Sequence, residues 1–145
     1  MPTELIPGLK PGMSAYVEKK IVTADTAQGM GRDVLDTLLA TPAYVNLMIQ
    51  AAVEVLRPNF PYDKNYITVG TAMSFAHDAP SALGMTVRVI ATLTKIEGNR
   101  FFFNLEAFDE VGPIGHGTHE RAMVHLGGLN KKINERTQKF KAQSK

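Results

Sequence analysis

Apolar residues cover nearly the whole circumference of one segment and alternate with polar ones in most of the others, and this contrast predicts the architecture. From Thr41 to about Leu56, ten apolar positions leave only Asn46, Gln50 and Glu54 as a polar stripe at four-residue spacing. Thr41 reads as the N-cap of this helix and Pro42 as its first residue, where a missing N–H costs nothing; Pro58 ends it. A helix apolar almost all round must be enclosed, and a sheet that curls around it is the economical enclosure in a small domain.

Four strand-like runs follow, about Tyr66 to Ala79, Gly84 to Glu97, Arg100 to Glu110 and Ile114 to Leu126. Gly98-Asn99 is a hairpin signal and Val111-Gly112-Pro113 separates the next pair, so the expected order is one helix followed by an antiparallel meander, class α+β. Upstream, Met13 to Thr23 alternates loosely as a half-exposed strand. The stretch from Ala24 to Asp36, with Gly29 and Gly31 and few large apolar groups, reads as a loop or irregular flap. Lys131, Lys132, Arg136, Lys139, Lys141 and Lys145 form a basic tail from about residue 130, expected as a short fraying helix with a solvated charge run.

Composition narrows the class. At 145 residues a single domain over 1–145 is expected, and 44% hydrophobic with 21% charged residues is ordinary for a globular protein. A net charge of +2 gives no argument for nucleic acid. No apolar run approaches the ~20 residues of a membrane span and the first residues lack the regions of a signal peptide, so the expectation is a cytoplasmic location with no membrane partner. With no cysteine, there is no disulfide, thiolate nucleophile or cysteine-bound metal, and chemistry falls to His, Thr, Ser, Arg and carboxylates.

Two segments carry candidate chemistry. Gly117 to Leu126 is a strand with charge on both faces: Thr118, Glu120, Ala122 and Val124 point one way, His119, Arg121, Met123 and His125 the other. In the first downstream run His77 ends a face shared with Ile67, Val69, Thr71, Met73 and Phe75, at a place where an imidazole can serve as general base. Adjacent strands would bring His77, Thr41 and Arg121 toward the mouth of the sheet. A metal is not expected, because His119 and His125 lie about 20 Å apart along an extended strand. The glycines form no phosphate-binding fingerprint.

Thr41-Pro42 opening a helix, Gly70-Thr71-Ala72 leading to His77, and Gly117-Thr118-His119-Glu120-Arg121-Ala122 together resemble the fluoroacetyl-CoA thioesterase group of hotdog-fold proteins, in the same order from about Leu9 to Thr137. The resemblance implies a long central helix wrapped by a curved antiparallel sheet, and pairing into a homodimer or tetramer. It also implies an acyl-CoA substrate bound near the subunit junction, with no cofactor beyond the coenzyme A of the substrate. Its catalytic threonine and histidine map onto Thr41 and His77. Its glycine beside the acyl group maps onto Gly70, and its arginine near the histidine onto Arg121. Its glutamate position holds Ile49, and an alkyl chain neither orients an imidazole nor stabilises its protonated form. Gln50 and Glu54 lie roughly 100° and 140° from Ile49 around the helix, and Asp78 falls on the opposite face of a regular strand, so none replaces it. The segment 24–39 lacks the family's lid phenylalanines, which argues against fluoroacetyl selectivity. The expected function is hydrolysis of short or medium acyl-CoA thioesters by His-assisted attack of water or Thr41. The alternatives are a non-catalytic hotdog dimer that binds acyl-CoA or another apolar ligand and, less favoured, hydration of an enoyl thioester.

Overall fold

The computed structural model describes residues 8–29, 37–59 and 64–143. Strand β1 (Ser14–Lys20) precedes helix α1 (Thr41–Leu56), after which come β2 (Tyr66–His77), β3 (Thr86–Glu97), β4 (Arg100–Phe108), β5 (Pro113–His125) and helix α2 (Leu126–Gln143). The strands form one antiparallel sheet in the order β1-β3-β4-β5-β2. The fold is α+β: a curled sheet with α1 packed against its concave face.

Pleat alternation builds the core. Val87, Val89, Ala91 and Leu93 of β3 and Phe101, Phe103, Leu105 and Ala107 of β4 are all buried. Tyr44, Leu47, Met48, Ala51, Ala52, Val55 and Leu56 of α1 pack onto them. Gly98, at φ 61°, supplies the left-handed residue that lets Glu97 and Arg100 close the expected hairpin.

Several expectations need correction. The meander comprises only β3, β4 and β5; β2 crosses to the far edge beside β5, because its own sequence carries no signal for which neighbour it takes. Thr41 is not the N-cap: Ala40, in extended conformation, holds that place, and Thr41 is the first helical residue with Pro42 after it. The enclosure of α1 within one chain is partial, since Asn46 and Gln50 are exposed and Val45, Ile49 and Val53 only half-buried. The tail is a full helix from Leu126 rather than a short one from residue 130. Its start is fixed by the Gly128 N–H donating to His125 Nδ1 at 3.2 Å, a side-chain cap of the kind helix N-termini require. Residues 30–36, the heart of the predicted flap, lie outside the described residues. Beside them stand a 3-10 turn, Thr23–Asp25, and bridges from Thr26 to Leu39 and from Leu38 to Ala82.

The expected face of β2 also breaks. Thr71 is an extra residue between Gly70, opposite Arg121, and Ala72, opposite Glu120. The phase therefore changes across this bulge. Ile67 and Val69 fall on the outer face, while Met73, Phe75 and His77 share the inner face with Thr68 and Gly70. The Thr71 hydroxyl donates to the Glu120 carboxylate at 2.5 Å, which holds the bulge.

No described helix is long and apolar enough to cross a membrane.

Candidate active site

The start of α1 is held in place by backbone bonds from two loops: Ala40 N–H donates to Asp25 O at 2.9 Å and Leu39 N–H to Ser81 O at 2.8 Å. These bonds bring Thr41 to the end of β2. There Thr41 Oγ1 lies 3.0 Å from His77 Nδ1. Because the helix is capped at Ala40 without a side-chain bond, the Thr41 hydroxyl is not engaged in capping and is available to the imidazole.

His77 lies against the ring of Tyr44, with centroids 4.5 Å apart, and the Tyr44 hydroxyl donates to Ala76 O at 2.9 Å. Across the sheet the residue opposite His77 is Gly115, whose missing side chain makes room for Tyr44. Burial lowers the proton affinity of His77 and keeps it neutral near pH 7, opposed by the charge of Asp78. Nε2, the nitrogen turned away from Thr41, is buried and has no hydrogen-bond partner among the described residues.

A cavity of about 590 Å³ opens at this contact. Leu38, Leu39, Ala40, Pro42 and Ala79 supply apolar wall, and Thr41, His77 and Asp78 supply polar groups. Tyr44 N–H bonds Ala40 O at 3.0 Å and Pro42 has no N–H, so the first turn of α1 presents the donors of Thr41 and Ala43 beside the hydroxyl. Hydroxyl, imidazole and helix N-terminus thus converge on one opening, the set that nucleophilic acyl chemistry uses.

The other predicted site residues stand elsewhere. Ile49 is eight positions beyond Thr41, about 12 Å further along the helix axis, and does not line the cavity. Gly70 and Arg121 sit opposite one another, seven residues up β2 from His77, roughly 20 Å away along the strand. Arg121 therefore does not meet His77 of the same chain. Nor does it pair with Glu120, which bonds Thr71 and Arg100. Arg121 is only 8% exposed; its guanidinium donates to Thr68 Oγ1, Thr68 O and, at 3.3 Å, His119 Nε2. His119 Nδ1 faces Ala72 O at 2.8 Å, and since a carbonyl only accepts, Nδ1 carries the proton and Nε2 is the acceptor. Burial, with Arg121 also contributing, lowers the His119 value and favours this neutral form. A Cβ on Gly70 would come 3.2 Å from His119 Cε1, so the glycine leaves this cationic cluster open toward the strand edge.

The histidines diverge: His116 approaches Asp78, His119 binds Arg121, and His125 caps α2. Among the described residues no three His, Asp or Glu side chains gather as metal ligands would. Sequence reasoning missed Tyr44 as the support of His77. The visible signals were the glycines alternating at 115 and 117, which leave space for large inner-face groups.

Comparison with known proteins now decides the lineage. The family model of the fluoroacetyl-CoA-specific thioesterases matches residues 21–126. The chain belongs to this family. A fluoroacetyl-CoA thioesterase of Streptantibioticus cattleyicolor is 38% identical over 100 residues, covering 69% of this chain and 70% of that protein. Among solved structures, a hot-dog-like protein from Thermanaerovibrio acidaminovorans superposes with a TM-score of 0.80 at 31% identity, covering 92% of this chain and 95% of that one. A fluoroacetyl-CoA thioesterase mutant in complex with acetyl-CoA superposes with a TM-score of 0.79 at 29% identity, covering 89% of this chain and 99% of that one. The curled sheet and its helix are the hotdog fold.

Proposed function

We propose that the chain is an acyl-CoA thioesterase acting on short or medium acyl groups, with Thr41 as nucleophile or water-positioning hydroxyl and His77 as general base. The observation that carries this reading is the 3.0 Å contact between Thr41 Oγ1 and His77 Nδ1 at the mouth of an apolar cavity. In the productive tautomer Thr41 O–H donates to Nδ1. The oxygen attacks the thioester carbonyl as its proton passes to the ring, and the Thr41 and Ala43 N–H groups receive the oxyanion. The protonated ring then returns the proton to the departing CoA thiolate, and water, activated by the same ring, releases the acid. The Streptantibioticus enzyme and the acetyl-CoA complex support a CoA thioester as substrate.

Gly70 and Arg121 enter this scheme through a second copy. The outer edge of β2 has no strand beside it among the described residues, and Phe75 on that strand is 41% exposed. Antiparallel pairing of two β2 strands along this edge brings Gly70 of one copy toward His77 of the other. The cationic cluster then faces the substrate at the junction of a homodimer. Ile49 belongs to the substrate-binding surface in the same way, from an apolar row with Val45 and Val53 that one chain leaves half-covered.

Release of free thiol from a panel of acyl-CoA esters tests the proposal. His77→Ala should lower the rate about 100-fold or more, the usual value of a general base; a wild type that releases nothing with any ester excludes the hydrolase. The unpartnered Nε2 and the alkyl chain at Ile49 favour a second reading, an acyl-CoA-binding dimer without turnover. Calorimetry with recovery of intact ester would establish that reading instead.

A further inference from the structure

With His77 as the base of the proposed hydrolase, a reading on which this inference rests, the ring has no hydrogen-bonded carboxylate among the described residues: Nδ1 meets Thr41 and Nε2 has no partner. Asp78 is the one acid among the described residues that line the cavity with His77 and Thr41. Strand β2 ends at His77, and both Asp78 N–H and Ala79 N–H donate to Ile114 O, at 2.8 and 3.1 Å. This shared acceptor carries the bonding to β5 past the end of the strand, so residue 78 lies at the rim of the cavity next to His77 while its carboxylate reaches His116 of β5, with Nδ1 to Oδ2 at 3.5 Å. Asp78 thereby borders the same opening as His77.

Its surroundings are spare. From α1 the groups touching His77 are Thr41 and Tyr44. Burial first, and the charge of Asp78 second, push the Tyr44 hydroxyl up to about 12, so it stays neutral wherever His77 titrates. From β5 the residue opposite is Gly115, and its neighbour His116 turns to Asp78, with Nδ1 to Oδ2 at 3.5 Å.

We infer that Asp78 is a positioning acid for this site: a through-space counter-charge for His77 while it holds the proton taken from Thr41 or water. Its side chain is 62% exposed, so the coupling is screened by dissolved ions, unlike that of a buried triad carboxylate. Salt dependence is accordingly its signature.

The test is a titration of the histidine ring protons of the intact protein by NMR, with the His77 signal assigned from His77→Asn. In Asp78→Asn the His77 midpoint should move to lower pH at low salt, the gap to wild type should narrow as salt is raised, and Asp78→Glu should restore the midpoint. The acid limb of kcat/KM with an acyl-CoA ester should move by the same interval. An unchanged His77 midpoint in Asp78→Asn overturns the inference. So does an equal fall in His116→Gln, which removes only the ion-pair partner and should leave the midpoint at or above wild type. If neither wild type nor variant releases thiol, the hydrolase reading fails, while the ring titration still decides the role of Asp78.

Discussion

Gly115 shows how much the site depends on atoms that are absent. A Cβ there would lie 2.3 Å from the Tyr44 hydroxyl oxygen and 2.2 Å from Ala76 O, both inside contact distance. Gly115→Ala must displace Tyr44, and the expected cost is about 1–3 kcal/mol, read as a lower urea midpoint at unchanged slope. Thiol release should fall with it, because Tyr44 supports His77. The buried histidines make a second residue-scale prediction. His77 and His119 both hold protons less readily than the usual 6.5, in each case chiefly through burial. Between that value and their folded values the unfolded chain binds more protons, so their contribution is intact above about pH 6.5 and is lost as pH falls below it. For Asp109, burial works against ionisation but is outweighed by donors from Ser81, Val111 and Gly112, so its contribution persists until pH drops through the carboxylate range below 3.8. Unfolding midpoints taken between about pH 7.5 and 5 should therefore decline, and less steeply in His119→Gln, whose amide can keep both hydrogen bonds. At this scale the approach of Thr41 to His77 was legible in the sequence as a convergence at the mouth of the sheet. The packing of Tyr44 on His77 was not, because it depends on which neighbour across the sheet lacks a side chain.

Among the elements, α1 and the strand runs were legible because periodicity and turn residues agreed over long stretches. The partner of β2 was not, since edge position depends on a crossover that local sequence does not encode. Nor was the bulge at Thr71, whose cause is a side-chain bond to a strand about fifty residues away. The one-residue displacement of the α1 cap matters most for function. If Thr41 served chiefly as a cap, Thr41→Ala would cost about 1 kcal/mol. With the cap at Ala40, the substitution should change thermal stability by no more than a few tenths of that while sharply reducing thiol release; calorimetric unfolding and the activity assay together separate the two roles. In α2, Gly128 has no atom closer than 4.0 Å to an added Cβ. Gly128→Ala should stabilise this helix by roughly 0.5–1 kcal/mol, seen as slower amide exchange over its first turns.

For the whole molecule, β2 is both the support of His77 and the edge at which a second copy would add. Phe75→Asp places charge on that edge and should shift light-scattering mass from two chains to one, with far-UV circular dichroism retained as proof of folding. Loss of thiol release in the folded monomer is the expected companion, since Gly70 and Arg121 would then be stranded far from His77. The meeting of Thr41 and His77 also opens a route to covalent probes. The chain holds no cysteine, so Thr41→Cys would install a solitary sulfhydryl facing an imidazole at the mouth of the pocket. A single alkylating tag could then report occupancy by any acyl donor, one adduct per chain, with no background from other thiols in the polypeptide.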